Sequence, residues 1–485
     1  MVKRMCEILL NAVEIEKATG GTWVGGISEL KINSVTNGIL NRYGLGDLFF
    51  VRNSEHWGEG VPDTFARIPQ VINKGVAAIV IEEQDSDRID EFKRLIPFLV
   101  VKNTRIALFE LAKASSKKAR SIKKVQITGT EGKTSFKYFL SMILDKQKTV
   151  FFQESSANMQ VPILLSLANI KANTDISVIE ISCPAKGLGE NRSQLITPDV
   201  AVITNVNPSH LNSHGGLQEL ISDKAESVLG VKKGGVCVVN SETDNFDLLI
   251  KKIKEFRSDI QIRTYGNTNA SDSYVMQANF TDLGWDVTAS IFGRRVSYRV
   301  NHVQEHAPSA SVGILMVADI LGLDVVQAAK ELEFVNSTYK SSGLIKEMPI
   351  GDGGSFIFYD QHFSMTEVAL RSAINDIKNI SVTGKKIAVI SGEYNSDKFT
   401  EEMHLRMGEY INNSDIDYLY TVGEHVDIST AVLEKKEIHR GHFDDIESCS
   451  NHVIGVISSG DLLFIKGMTK LNFEYLSNAV NEQFK

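Results

Sequence analysis

The stretch Val125–Leu140, "VQITGTEGKTSFKYFL", decides how the chain folds. It reads as a β-type run, a glycine-rich turn and a helix opened by Lys133, Thr134 and Ser135. That order forms a cradle for phosphate. Gly129 and Gly132 permit a tight turn and a close backbone approach, while the loop amides, Thr130 among them, and the helix start present positive partial charge. Lys133 is long enough to reach the outer phosphates of a nucleotide, and the Thr134 hydroxyl stands where it would meet Mg2+. The spacing departs from G-x-x-x-x-G-K-[ST], because Ile127 occupies the place of the first glycine. With a strand before it and a helix after it, the loop is expected to bind a nucleotide.

Outward from this loop, apolar runs alternate with helical patterns: "DISVIEIS", "DVAVITNV" and "GGVCVVNS" follow in turn. Such alternation predicts a parallel sheet covered on both faces. A more polar segment with period-two patterning, residues 267–300, predicts antiparallel strands attached to that sheet. The apolar helix "SASVGILMVADILG" comes next, and after "NSTYKSSG" the alternation restarts with "SFIFYD", "KKIAVIS", "DYLYTVG" and "DLLFIKG". Ahead of the loop, "DLFFV" and "GVAAIVIEE" belong to a smaller α/β unit. The expected fold is α/β in three domains: residues 1–103, a central P-loop-type parallel sheet with helices on both faces over 104–338, and a Rossmann-like domain over 339–485.

Composition bounds the class. A chain of 485 residues exceeds what one core fills, and 42% hydrophobic with 23% charged residues is ordinary globular material. Net charge −8 and pI near 5.8 argue against a general nucleic-acid binder. Cys6, Cys183, Cys237 and Cys449 show no CxxC spacing, so no zinc cage or disulfide framework is indicated, and a reducing cytoplasm fits. The start, "MVKRMCEILLNAVEIEKATGG", reads as an amphipathic helix rather than a signal peptide, and no run has membrane-spanning length. A monomer without membrane or nucleic-acid partners is expected.

Three further features carry charge into apolar surroundings. Glu180 interrupts the strand "VIEISC" at the edge where sheet ligands collect, and a carboxylate near triphosphate makes sense with a hard cation between them. His210 and His214 lie in "NPSHLNSHGG", just after a strand of the same unit. Wound as a helix, Leu217–Val231 stacks Leu217, Leu220, Ile221, Ala225 and Val228 on one stripe, with Glu219, Ser222, Asp223 and Glu226 elsewhere. Lys224 falls within the stripe, where an ammonium must be paired, chemically changed or deprotonated, or must snorkel to a groove.

ITGTEGKTS, then IEIS, then ITNVNPSHLNSHGG, then a lysine fourteen positions beyond His210 together resemble the central domain of the Mur ligases. These are ATP-dependent enzymes that join amino acids to a peptidoglycan precursor. The resemblance implies that Lys133 and Thr134 serve phosphates and a first magnesium, that Glu180 and His210 ligate magnesium, and that Lys224 is carbamylated and helps hold a second magnesium. Such an anion beside metal would account for a lysine on an apolar face. His306, in "EHAPSASV", and Asp360, in "YDQHFS", fall on nucleotide-contacting segments, and Asn158, Arg192, His214 and His362 are assigned to the carboxylate and amine substrates. "GDLFFVRNSEHWGEG" and "GDLLFIKGMTKLNFE" look like the MurF type, which adds D-alanyl-D-alanine.

Departures from that type are numerous. Thr36, Asn37 and Gly38 stand where Asp-Ser-Arg grips a uridine nucleotide, and glycine cannot replace an anion-binding guanidinium. Glu131 places an acid in the phosphate loop, Ala310 stands where asparagine is expected, Leu344 ends the "SGR" pattern, and "KGS" becomes Lys466, Gly467, Met468. A specialised paralogue that forms an amide on another carboxylate is the expectation. An orthodox cell-wall ligase stands beside it if Arg42 or Arg52 grips the nucleotide. A nucleotide-binding pseudo-ligase and an enzyme that hydrolyses nucleotide for work rank behind.

Overall fold

The computed structural model describes residues 7–38, 43–58, 61–153, 158–207, 214–281, 284–335, 344–351, 353–362, 365, 367–392 and 400–484. Three sheets of five, nine and six strands organise them. In the first, Ser34–Thr36, Asp47–Phe50, Ala78–Glu82 and Phe98–Val101 run parallel, and Thr22–Val24 closes one edge antiparallel. In the last, five parallel strands are closed by Leu344–Ile350, antiparallel to Gly354–Gln361. This is the three-domain α/β architecture expected from the alternating pattern. The 338/339 boundary falls outside the described residues.

The nine-stranded central sheet is parallel from Val150–Phe152 to Ser273–Thr281, and Gly284–Ile291 and Arg294–Val300 extend it antiparallel. Its strands read as continuous apolar runs because helices cover both faces; every residue of Ile176–Glu180 is buried. Helices Lys133–Leu144 and Ala307–Ile320 pack one face, whereas Thr104–Lys118, Gln160–Ala168 and Leu217–Ala225 pack the other.

The N-terminal helix is short, Ala12–Thr19, held by a reciprocal Asn11–Glu14 capping box. The segment after Gly216 is helical from Leu217 to Ala225 and tightens into a 3-10 turn through Val228. Leu220, Ile221, Ala225 and Val228 are buried together as the stripe predicts. Asp223 and Glu226, off that stripe, are buried as well, because residues 182–196 cover the opposite face; the amide of Gly187 donates to Glu226 at 2.7 Å, and burial pushes that carboxyl up.

The third domain docks on the central one just before helix Ala307–Ile320. Val303 joins the third domain's core, and the amide of Glu305 donates to Asp376 Oδ1 at 3.0 Å.

Candidate active site

Strand Lys123–Thr128 lies between Ile176–Glu180 and Val200–Ile203, with Ile127 opposite Glu180 and Thr128 opposite Ile203. Three neighbouring strands therefore release Gly129, Ser182 and Thr204 at one edge, where open α/β sheets gather ligands. A cavity of about 790 Å3 opens there, lined by the phosphate loop, by His306 and Ala310 of the central domain, and by Gln361 and Lys466 of the third.

The loop takes its shape from two glycines and an asparagine. Gly129 and Gly132 adopt φ of 146° and 74°, and a Cβ on Gly129 would come within 2.1 Å of Thr204 Oγ1. Asn205 Oδ1 accepts from the amides of Thr130 at 3.1 Å and Glu131 at 2.9 Å, and Thr204 Oγ1 donates to the Glu131 carbonyl at 2.6 Å. Helix Lys133–Leu144 starts at Gly132 without a side-chain cap, so its first amides remain for a ligand. Lys133 Nζ donates to the Thr130 carbonyl at 2.7 Å; burial lowers its pKa, partly offset by Glu180 and Glu131.

Glu180, 1% exposed, is the hub of the floor. It accepts from Thr134 Oγ1 at 2.9 Å and Asn158 Nδ2 at 2.7 Å, and pairs with Lys137 Nζ at 3.2 Å. Thr134 and Glu180 thus present hard oxygens beside the phosphate loop, a donor set that suits Mg2+ completed by phosphate oxygens and water. Among the described residues no three His, Cys, Asp or Glu form a metal cluster. His210 lies outside the described residues.

Lys224 reaches the loop from its helix, its Nζ 3.4 Å from the Gly129 carbonyl. It is 7% exposed, and burial, with Lys133 nearby, brings its pKa down to about 8, partly offset by Cys183 and Asp223. A depressed amine pKa is what carbamate formation needs, since only the neutral amine reacts with CO2. Beside it His214 Nδ1 lies 2.6 Å from Asp223 Oδ2 and lines the cavity.

Not every expected residue converges. Asp360 and His362 do not line the cavity: His362 Nδ1 lies 2.6 Å from Asp360 Oδ1, and Ser477 Oγ occupies the other carboxylate oxygen, so the pair is turned into the third domain. Gln361 between them faces the cavity instead, as strand alternation requires. Arg192 is also outside the nucleotide cavity; its guanidinium holds Ser182 and faces a separate groove.

Three contributors carried no role in the sequence reading. Lys137 had a signal, four residues beyond Lys133 on the same helix face. Asn205 had only its place after a strand. Lys466 is the tertiary partner that makes Glu131 intelligible: buried at the end of Leu462–Lys466, it has a pKa lowered to about 8 by burial and partly offset by Glu131 and Asp376. Its unfolded pKa is higher, so the unfolded chain binds the extra proton between about 8 and 10.5, and this lysine makes stability rise with pH across that window. Lys466→Met should flatten the rise in pH-dependent thermal melts, and Glu131→Gln should shift it to lower pH while tightening ATP binding about threefold, as loss of one screened repulsion predicts.

Fold and site together define a three-domain nucleotide-binding α/β protein whose phosphate loop faces a lysine-bearing helix. Residues 127–306 match the Mur ligase middle domain. Ligases of the MurF type are similar to it over most of their length. The UDP-N-acetylmuramoyl-tripeptide--D-alanyl-D-alanine ligases of Rickettsia prowazekii and Bacillus subtilis are each 24% identical, covering 87% and 85% of this chain and 89% and 86% of their own. A MurF crystal structure from Acinetobacter baumannii superposes with TM-score 0.80 at 19% identity, over 98% of this chain and 99% of that one. MurF from Thermotoga maritima, in complex with ADP, gives 0.73 at 20% identity, over 93% and 97%. Among the described residues no helix is long and apolar enough to cross a membrane.

Proposed function

We propose that this chain is an ATP-dependent ligase that forms an amide between a small-molecule carboxylate and the amino group of an amino acid or dipeptide. The observation that carries the reading is the convergence of Lys133, Thr134, Glu180 and Lys224 at one phosphate loop. The substrate carboxylate attacks the γ-phosphorus of ATP, giving an acyl phosphate and ADP; the amine then attacks the acyl carbon and expels phosphate.

Carboxylate and triphosphate repel, so the chain must neutralise their approach. Lys133 exchanges the Thr130 carbonyl for phosphate oxygens, and the loop amides exchange Asn205 for the same. Two Mg2+ ions, the first on Thr134 and Glu180 and the second near Glu180, His210 and a carbamate on Lys224, would supply Lewis acidity at the transferred phosphoryl group. Asn158 anchors Glu180 and stands at the acid's entry, and His214, oriented by Asp223, faces the same space. Asp360 and His362, turned into the third domain, take no step in this scheme, and Gln361 between them faces the cavity where the amine would arrive.

An unopposed acid in the phosphate loop would favour a pseudo-ligase; the Coulomb attraction between Glu131 and Lys466 of the third domain opposes that charge. A MurF-like enzyme in the cytoplasm, acting as a monomer on a non-standard acid, is the reading favoured by the altered Thr36–Gly38 segment. The test is release of ADP and phosphate from ATP and Mg2+ with UDP-N-acetylmuramoyl-tripeptide and D-alanyl-D-alanine, with mass spectrometry of the products. An amide there returns the chain to the orthodox cell-wall role. ATP turnover only with other acids and amines supports the specialised one, and absence of turnover with every pair defeats the ligase reading.

A further inference from the structure

A second cavity, of about 560 Å3, lies on the opposite side of the central sheet from helix Lys133–Leu144, between helices Thr104–Lys118, Gln160–Ala168 and Leu188–Ile196. Its charge is one-sided. Lys113, Lys117 and Arg120 line it at intervals of four and three residues, a stripe roughly 10 Å long at helical rise. Arg192 lines it from the facing helix, and no Asp or Glu does. Two acids touch groove residues from outside: Glu190 accepts from Gln194 Nε2 at 2.8 Å, and Glu110 lies 3.5 Å from Lys113 in an exposed pair worth little.

Arg192 makes this more than a solvated basic face. It is 5% exposed, yet no carboxylate of a described residue pairs with it, and its Nη1 donates to the carbonyl and hydroxyl of Ser182. A buried guanidinium without a counter-anion is costly, and the fork of N–H groups left over matches an oxyanion. Beneath the floor Lys124, wholly buried, donates to Ser116 Oγ at 3.0 Å and Thr197 Oγ1 at 3.1 Å, and both of those residues line the groove. A fifth cation, partly balanced by Asp199, therefore lies beneath the groove. Asn191 and Gln194 add neutral amides to the rim.

We infer that this groove binds a multiply charged phosphate-type anion at Lys113, Lys117, Arg120 and Arg192. Its inner end abuts the nucleotide cavity through the Arg192–Ser182 contact, since Ser182 lines that cavity. Two sources share the chemistry: a phosphate-bearing extension of the acid substrate, or a free polyphosphate. The site itself does not depend on amide formation.

The experiment is calorimetric titration of the full chain with inorganic tripolyphosphate, the nucleotide cavity first saturated with a non-hydrolysable ATP analogue. Wild type should bind with an affinity that falls steeply as salt rises. Lys113→Glu/Lys117→Glu, and separately Arg120→Glu, should weaken binding at least tenfold while leaving affinity for the ATP analogue and the thermal melt unchanged. Equal binding by wild type and variants, or no wild-type binding at millimolar probe, overturns the site. Displacement of the probe by UDP-N-acetylmuramoyl-tripeptide assigns the groove to a substrate extension; binding of both together assigns it to a separate anion. Because these readouts need no turnover, failure of the ligase reading would be seen separately, in the product assay.

Discussion

Lys224→Ala should lower turnover by a factor of about 1,000 or more, the scale of losing one preorganised electrostatic group, while the affinity for ATP should change less than about threefold. The asymmetry follows from position. Lys224 meets the loop only at the Gly129 carbonyl, so the phosphate cradle built by Lys133, Gly132 and the helix start survives its removal. What disappears is the group beside the transferred phosphoryl. If that group is a carbamate, short carboxylic acids diffusing into the space left by the side chain restore part of the rate, and exclusion of CO2 lowers the wild-type rate but not the rescued one. Lys224→Met separates chemistry from folding: it keeps the volume and removes a desolvated ammonium, so the variant should melt at or above the wild-type temperature while staying inactive. Steady-state kinetics with nucleotide titrations decide it, and full activity in Lys224→Ala would remove both the carbamate and the present account of that helix.

Glu180→Ala should cost both activity and stability. The carboxylate is 1% exposed and answers Lys137, also 1% exposed, at 3.2 Å. Removing it takes the carboxylate away from a buried ammonium and frees Thr134 and Asn158, a change worth roughly 3–5 kcal/mol of stability. The double variant Glu180→Gln/Lys137→Met discards the charge pair as a unit and should recover most of the melting temperature without recovering turnover, because no anionic oxygen then stands beside Thr134. Chemical denaturation of the single and double variants provides the measurement. If Glu180→Ala is as stable as wild type, the Glu180–Lys137 pair is not what holds this floor together.

Lys137 also shows where reading from sequence stops. Period and glycine placement in Val125–Leu140 were enough to predict strand, cradle and helix, and the same alternation predicted three α/β units. The lysine anomaly at Leu217–Val231 was legible because one residue broke an otherwise apolar stripe. Lys137 sat in plain view four residues after Lys133, but its partner Glu180 is supplied by another strand, and sequence does not give strand order. Asp360 and His362 were misplaced for a related reason: adjacent residues in a strand point to opposite faces, and only the packing of Ser477 shows which face looks away from the nucleotide.

What the sequence by itself determined are the properties carried by local pattern: a phosphate-binding turn between strand and helix, parallel sheets implied by continuous apolar strands, and an ionisable group carried into a core. Only the tertiary structure decided which charges answer one another. Glu131 reads as a defect until Lys466 arrives 335 positions later from a different domain, and Arg192 reads as a substrate contact until three helices close a basic groove around it. Backbone propensity acts over a few residues and is written in order along the chain. Electrostatic and packing energies act through space, so their partners are fixed only once the strands have found their neighbours.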